Sequence, residues 1–402
     1  MKSSEIIQCP DARSGRRLFL TGKQSFLSAA LPAAVAVAVA RLGICCLFLL
    51  ASGLFTSCEL EDQPEASGDL PGLTEAGCQG LWILSEGLMN LNNSSLAYYS
   101  FEQKTLEKTK FRASNKRGLG DTGNDLKAYG SKLYVVVTVS SQLEVLDLHS
   151  GLSIKRIPLF DENQRARQPR YIDFLDGKAY VCSFDGSLAR IDTASLEVEA
   201  YVDCGRNPDG ICIANNKIYV ANSGGLDNPN FDNSISVVDP LSFKEIKRIE
   251  SGLNPYRMQV DSQGDIYVVI RGNLSDQSFS LSRIDSRLDS VVQVFPDIPA
   301  WNLTIHKDTA YIYNYSEQSG QNWIMVFDCL NEELVSDQFI QDETLLSKSY
   351  AIDVNPYTGD VYICDAHDYT LWGDCLCFSK DGKLKFRFKS VGLNPNSLVF
   401  VK

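Results

Sequence analysis

One short pattern recurs seven times along this 402-residue chain, and it limits the possible fold more than any other feature. Each copy holds an apolar strand built around an aromatic anchor. The anchors are Leu81-Trp82-Ile83, Leu133-Tyr134-Val135, Ala179-Tyr180-Val181, Ile218-Tyr219-Val220, Ile266-Tyr267-Val268, Ala310-Tyr311-Ile312 and Val361-Tyr362-Ile363. Successive aromatics lie 52, 46, 39, 48, 44 and 51 residues apart, an average near 47. A second marker, an apolar residue followed by Asp, comes after five anchors as Leu146-Asp147, Ile191-Asp192, Val238-Asp239, Ile284-Asp285 and Phe327-Asp328. The apolar residue is placed to pack inward. The Asp starts a turn, because its carboxylate can accept hydrogen bonds from the next backbone amides. A further apolar strand such as Val198–Val202 or Ile246–Ile249 closes the unit. Nothing between these strands repeats with the 3.6-residue period of a helix, so each unit reads as four short strands. Four strands on a period in the forties describe a propeller blade. The expected fold is therefore all-β, a seven-bladed β-propeller of four-stranded blades.

The ends of the repeat region fit each other. The first unit opens on the Trp82 strand and lacks the strand that precedes every other anchor. The last ten residues, Leu393-Asn394-Pro395-Asn396-Ser397-Leu398-Val399-Phe400-Val401-Lys402, match the mid-chain stretch beginning Leu253-Asn254-Pro255-Tyr256 and supply it. Closure by the C-terminal strand joining the N-terminal blade would leave no free sheet edge. A linear solenoid, which needs capping repeats, fits less well.

Ahead of the repeats the chain is of another kind. The whole sequence holds 38 basic and 50 acidic side chains, a net charge of −12. Six basic and two acidic residues fall in 1–57, which leaves the remainder at −16. Such an acidic chain is no sequence-independent nucleic-acid binder, since phosphate contacts need clustered Lys and Arg. From Ala29 to Phe55 nearly every residue is apolar, but Arg41 in mid-segment argues against a membrane span. The run ends in Phe55-Thr56-Ser57-Cys58, which resembles a bacterial lipoprotein signal with the lipid on Cys58. Arg16-Arg17-Leu18-Phe19-Leu20 resembles a twin-arginine signal core. Ala40-Arg41 with Leu42–Phe55 is nonetheless a complete signal by itself, so the true start of translation is expected near Val37 or Val39. The expected division is 1–57 signal peptide, 58–79 flexible acidic tether and 80–402 propeller. Glu59, Glu61 and Asp62, directly after the lipidated Cys, resemble a signal for the outer face of the outer membrane. The expected location is the outer membrane, lipid-anchored and exposed to the cell surface, with a periplasm-facing orientation as the alternative.

Eight cysteines remain after Cys58, none in a CxxC pair, and the chain has only three histidines. No zinc spacing appears, so no metal or cofactor is expected. The cysteines sit in apolar runs and read as small buried hydrophobes. Cys375-Leu376-Cys377 is expected to turn its two thiols to opposite faces of a strand.

In a propeller, the loop entering each innermost strand reaches the axis, so one position per blade recurs around it. Aligned on the anchors, that position reads Asn124, Arg170, Asp209, Tyr256, Trp301, Tyr350 and Asn396. The next reads Asp125, Tyr171, Gly210, Arg257, Asn302, Ala351 and Ser397. Aromatic and polar side chains replace the Ile, Val, Leu and Ala of the core here. The candidate ligand-binding set is Asn124, Asp125, Arg170, Tyr171, Asp209, Tyr256, Arg257, Trp301, Asn302, Tyr350 and Asn396. Aromatic faces with amide and guanidinium donors suit a large planar or glycan-like ligand. The competing reading is a solvated funnel whose polar residues only satisfy turn backbones. Long loops at 222–233 and 365–374 open on the same face, where recognition commonly resides. Asp227, Asp232 and Asp365 match no EF-type calcium spacing.

No catalytic residue is assigned. His149 sits in a turn, His306 on an inner strand, and only His367, between Asp365 and Asp368, falls on the binding face. No phosphate-cradling Gly motif stands in a strand–turn–helix context. An enzyme using His367 and acidic loop residues is the weakest of the functional readings.

The Tyr-Val anchors, the Ile-Asp turns and the Asn-Pro entries of Arg206-Asn207-Pro208-Asp209-Gly210 and Leu253-Asn254-Pro255-Tyr256 resemble the YVTN/YncE-like propeller family. The lipobox and the closing stretches Asp353-Val354-Asn355-Pro356, Lys380-Asp381-Gly382-Lys383-Leu384 and Gly392-Leu393-Asn394-Pro395 are similar to surface-layer-type propeller lipoproteins of Gram-negative gut anaerobes. Some members of that group, the BtuG-like proteins, capture cobalamin at the cell surface and hand it to a TonB-dependent transporter. The resemblance thus implies ligand capture through the funnel, with a TonB-dependent receptor as partner. The remaining partners are the membrane through Cys58 and a small-molecule or glycan ligand, with no nucleic acid. The alternative is a structural or adhesive envelope protein binding glycans or proteins.

Overall fold

The computed structural model describes residues 77–273, 278–316 and 319–402. The signal assigned to 1–57, the lipidation residue Cys58 and the tether up to residue 76 lie outside the described residues. Within them the chain forms seven four-stranded antiparallel sheets, the expected seven-bladed propeller. The inner strands, in ring order, are Pro395–Val401, Gly123–Tyr129, Pro169–Leu175, Pro208–Ala214, Pro255–Val260, Asn302–His306 and Ser349–Val354. Each packs against the inner strands of both neighbouring blades, and Ser349–Val354 packs back on Pro395–Val401, closing the ring.

Closure takes the expected form. Pro395–Val401 pairs antiparallel with Gly80–Ser85, placing Val401 opposite Gly80 and Val399 opposite Trp82. Beyond the strand, Glu86 N donates to Asn394 O at 2.9 Å and Gly87 N to Leu393 O at 3.0 Å. Blade one is thus built from both ends of the repeat region. Among the described residues one short helix, Lys110–Asn115, lies in the link from blade one to blade two and buries Phe111 in the apolar cluster between them.

The core lies between blades, in apolar clusters that each join adjacent sheets. All seven anchor aromatics are buried. Three of them also bond across the blade interface. Trp82 Nε1 donates to Leu148 O at 2.8 Å, Tyr267 OH to Cys329 O at 2.6 Å, and Tyr219 OH reaches Ser286 O at 3.0 Å while sharing its single proton with Asp289 Oδ1 at 2.5 Å. Each of the three carbonyls directly follows a marker Asp of the next blade. The markers hold their own turns: Asp239 Oδ2 accepts Ser242 Oγ at 2.5 Å and Ser242 N at 2.7 Å, and Asp328 Oδ1 accepts Asn331 N at 3.0 Å and Leu330 N at 2.9 Å. These bonds keep both carboxyls below the usual aspartate range.

The cysteines correct one expectation. Residues two apart on a strand share a face, so Cys375 and Cys377 enter the same core, beside Cys364. No disulfide joins any of the eight described cysteines, and seven of them are buried. Burial pushes the Cys182 thiol up to about 12, as expected of a small hydrophobe with no reactive role.

Candidate functional site

Antiparallel pairing sets Pro208 opposite Asn222 and Pro255 opposite Ile270, so inner strands begin on the face where second strands end. There, on the axis, lies a pocket of about 170 Å³. Asn124, Arg170, Tyr171, Tyr256, Arg257, Trp301, Asn302, Tyr350 and Asn396, nine of the residues singled out from sequence, line it together. Asp209 does not line the pocket but stands behind Arg170. Asp125 lines a second cavity of about 480 Å³ further down the axis, which shares Arg257, Asn302 and Asn396 with the first.

Glu86, Arg271 and Tyr313 also line the pocket and were not singled out. Tyr313 lies in a second strand, and Glu86 and Arg271 each directly follow one. A signal for two of them does exist. Four residues after each anchor aromatic the repeats read Glu86, Thr138, Phe184, Ser223, Arg271, Tyr315 and Ala366, a position as variable as the inner-strand ring.

Some of the expected residues serve the scaffold. Asn124 Nδ2 donates to Arg170 O at 2.5 Å, Asn396 Nδ2 to Gly123 O at 2.8 Å, and Asp125 Oδ2 accepts Ile172 N at 3.1 Å. These are the turn-satisfying roles of the blander reading. Arg170, Tyr171, Tyr256, Arg257, Trp301, Asn302 and Tyr350 face the cavity. Arg170 Nε bonds Asp209 Oδ1 at 2.6 Å, with its guanidinium 4.5 Å from the centre of the Phe184 ring. Arg257 lies 4.7 Å over Tyr171 and only 3.8 Å from Asp125 Oδ1. Arg271 lies 3.3 Å over Tyr256 and 4.3 Å over Trp301. The hydroxyls of Tyr171 and Tyr256 bond each other, and Tyr350 OH donates to Glu86 Oε2.

Burial shapes the titration of this cluster. It raises the Glu86 carboxyl above its usual range, against the pull of the Tyr350 bond and of Arg170. It raises Asp209 likewise, against Arg170. Burial opposes the charge of Arg170, but Asp209, Tyr171 and Tyr256 together outweigh it and hold the guanidinium firmly protonated. The Tyr171 and Tyr350 phenols are pushed well up by burial, and stay neutral donors at any physiological pH.

The histidines do not converge. His367 sits 3.6 Å from Asp365 and 3.7 Å from Asp374, outside the axial pocket. His149 is exposed in its turn, and His306 ends an inner strand. Asp227 pairs with Arg206 at 2.8 Å, Asp232 accepts Ser234 N at 3.0 Å, and Asp365 accepts Ser347 N and Lys348 N at 2.8 Å. Among the described residues no group of three or more His, Cys, Asp or Glu is arranged to hold a metal ion.

The family described as "Domain of unknown function (DUF5074)" matches residues 79–376. No curated protein matches the sequence. Among solved structures, a quinonprotein alcohol dehydrogenase-like protein from Bacteroides thetaiotaomicron is similar, with 15% identity and a TM-score of 0.59 over 80% of this chain and 78% of that one. A functionally unknown protein from Desulfotomaculum acetoxidans has 13% identity and a TM-score of 0.55 over 80% and 99%. Hydrazine synthase from Kuenenia stuttgartiensis has 15% identity and a TM-score of 0.55 over 68% and 88%. At these identities the likeness is one of fold.

Proposed function

We propose, for this chain, which belongs to the DUF5074 family of domains of unknown function, that the axial pocket binds a small molecule or a group protruding from a larger one. One observation carries the reading. Arg257 and Arg271 face the pocket from aromatic rings, and the buried Nε of each has no hydrogen-bond partner. A buried donor left unpaired costs about 1–3 kcal/mol, and at these two arginines, unlike Arg167 and Arg283 whose Nε is also unpaired, it lies in the wall of a cavity where a ligand can accept from it.

In its fuller form the proposal is a lipoprotein anchored through Cys58 to the outer membrane, facing the cell surface. It would capture a cobalamin-type nutrient for a TonB-dependent receptor. Support comes from the Phe55-Thr56-Ser57-Cys58 lipobox, from the acidic residues after it and from the family resemblance. The pocket restricts how such a ligand sits. Its volume of about 170 Å³ is below the roughly 300–1,000 Å³ of sites that enclose drug-sized molecules. A corrinoid ring would lie across the face and lower only a side group into the pocket. Met89, Leu91 and Leu371, exposed on loops of blades one and seven, offer apolar surface on that face. On this reading the chain binds and does not catalyse.

Equilibrium dialysis of the full chain against cyanocobalamin tests the proposal. Saturable binding is expected, weakened about tenfold or more, roughly 1.4 kcal/mol, by Trp301→Ala and by Tyr350→Ala. No binding removes the corrinoid version, and unchanged affinity in both variants removes the axial pocket as its site.

A further inference from the structure

The charges around the pocket do not cancel locally. Arg170 is matched by Asp209 at 2.6 Å, and Arg257 has Asp125 at 3.8 Å. Arg271 has no carboxylate within ion-pair distance among the described residues. Its polar contact is a 3.4 Å approach of Nη2 to Trp301 O, and its Nε meets no acceptor. Glu86, on the same wall, forms no ion pair with Arg271; its carboxyl accepts the Tyr350 hydroxyl and is raised by burial.

Geometry narrows what could satisfy such a group. A guanidinium is flat and carries its five donors in its plane. Tyr256 lies 3.3 Å from Arg271 and Trp301 4.3 Å. Rings stacked on a guanidinium occupy its faces and leave its edge to hydrogen-bond. Two parallel bonds from that edge fit a carboxylate or a phosphate, and charge makes them stronger than bonds to a neutral acceptor. A neutral polyol would leave a half-buried cation uncompensated. The pocket, at about 170 Å³, has room for about six waters at ~30 Å³ each, enough for a head group and little more.

Resting on the reading of the axial pocket as a binding site, we propose that its ligand presents an oxyanion, a carboxylate or a phosphate, to Arg271, with Arg257 as the second cation. Isothermal titration of the full chain with inorganic phosphate and, separately, with acetate tests this and distinguishes the two sources. At least one is expected to bind at a single site. Arg271→Gln should weaken it about tenfold or more. Arg165→Gln, a change at an exposed arginine that pairs with Asp161 and does not line the pocket, should leave it within about twofold. If Arg271→Gln does not fold, arginine side-chain NMR of the unaltered chain replaces it, and the two buried Nε–H signals should shift as the anion is added. Wild-type affinity in Arg271→Gln, or neither anion binding nor moving those signals, overturns the proposal. If cyanocobalamin binds in a Trp301-dependent way while both anions fail, the binding pocket stands and the oxyanion falls. If an anion binds through Arg271 and cyanocobalamin does not, the oxyanion stands and the corrinoid version falls.

Discussion

Around the axis, Gly210 occupies a position where the other blades carry Asp125, Tyr171, Arg257, Asn302, Ala351 and Ser397. A Cβ at Gly210 would stand 2.1 Å from Tyr256 O. Tyr256 in turn bonds Tyr171 and stacks on Arg271, so the missing side chain lets blades four and five approach closely enough to build the pocket wall. Gly210→Ala should displace Tyr256 and cost about 1–3 kcal/mol, read by urea denaturation. Unchanged stability would show that the wall moves without strain. A second residue responds to pH. Burial raises the Asp353 carboxyl to about 6, against its bond from Val354 N and the pull of Arg257. The folded chain therefore keeps a proton that the unfolded chain, with an aspartate near 3.8, has released. Stability falls as pH rises from about 4 through about 6, and the loss persists above that. Asp353→Asn should gain on wild type across that window, measured by denaturation at several pH values. A difference that does not change with pH would contradict the assignment.

At the scale of strands and turns, two sequence markers prove to be partners. The aromatic anchor of one blade and the Asp turn of the next meet in the bonds from Trp82, Tyr219 and Tyr267 to the carbonyls after Asp147, Asp285 and Asp328. Tyr267→Phe should leave Cys329 O buried without that donor and cost about 1 kcal/mol, seen as a lower urea midpoint with unchanged slope. An unchanged midpoint would deny the bond its role. The markers themselves were legible because they repeat. The bond joining them was not, because a backbone carbonyl leaves no trace in residue type. The same limit applies to the site. The inner-strand ring could be read because each blade supplies one position to the axis. Which members face the pocket and which brace it could not, since Asn124 and Tyr256 occupy equivalent positions and differ only in what lies beside them. Arg271 lies outside that ring because it directly follows a second strand, Ile266–Ile270.

For the whole molecule, closure is the central structural event. The C-terminal strand completes blade one, and the ring of inner strands is continuous only with it. Deleting residues 395–402 would expose the edge of Gly80–Ser85 and remove Asn396 from the pocket. The loss should exceed about 5 kcal/mol, the lower end of a domain's stability, so that no cooperative thermal transition survives. A truncated chain melting within a few degrees of the full one would show that the ring does not need its closing strand. The fold's period was legible along the whole chain, because each blade repeats the same demand for burial. The ligand was not, because the pocket is assembled from residues that differ in every blade. A crystal structure of the full chain grown with cyanocobalamin tests the central claim most directly. Ligand density over the axial pocket, against Arg271, Trp301 and Tyr350, is the predicted result. Density on another face, or at the lower cavity beside Asp353 alone, would contradict it.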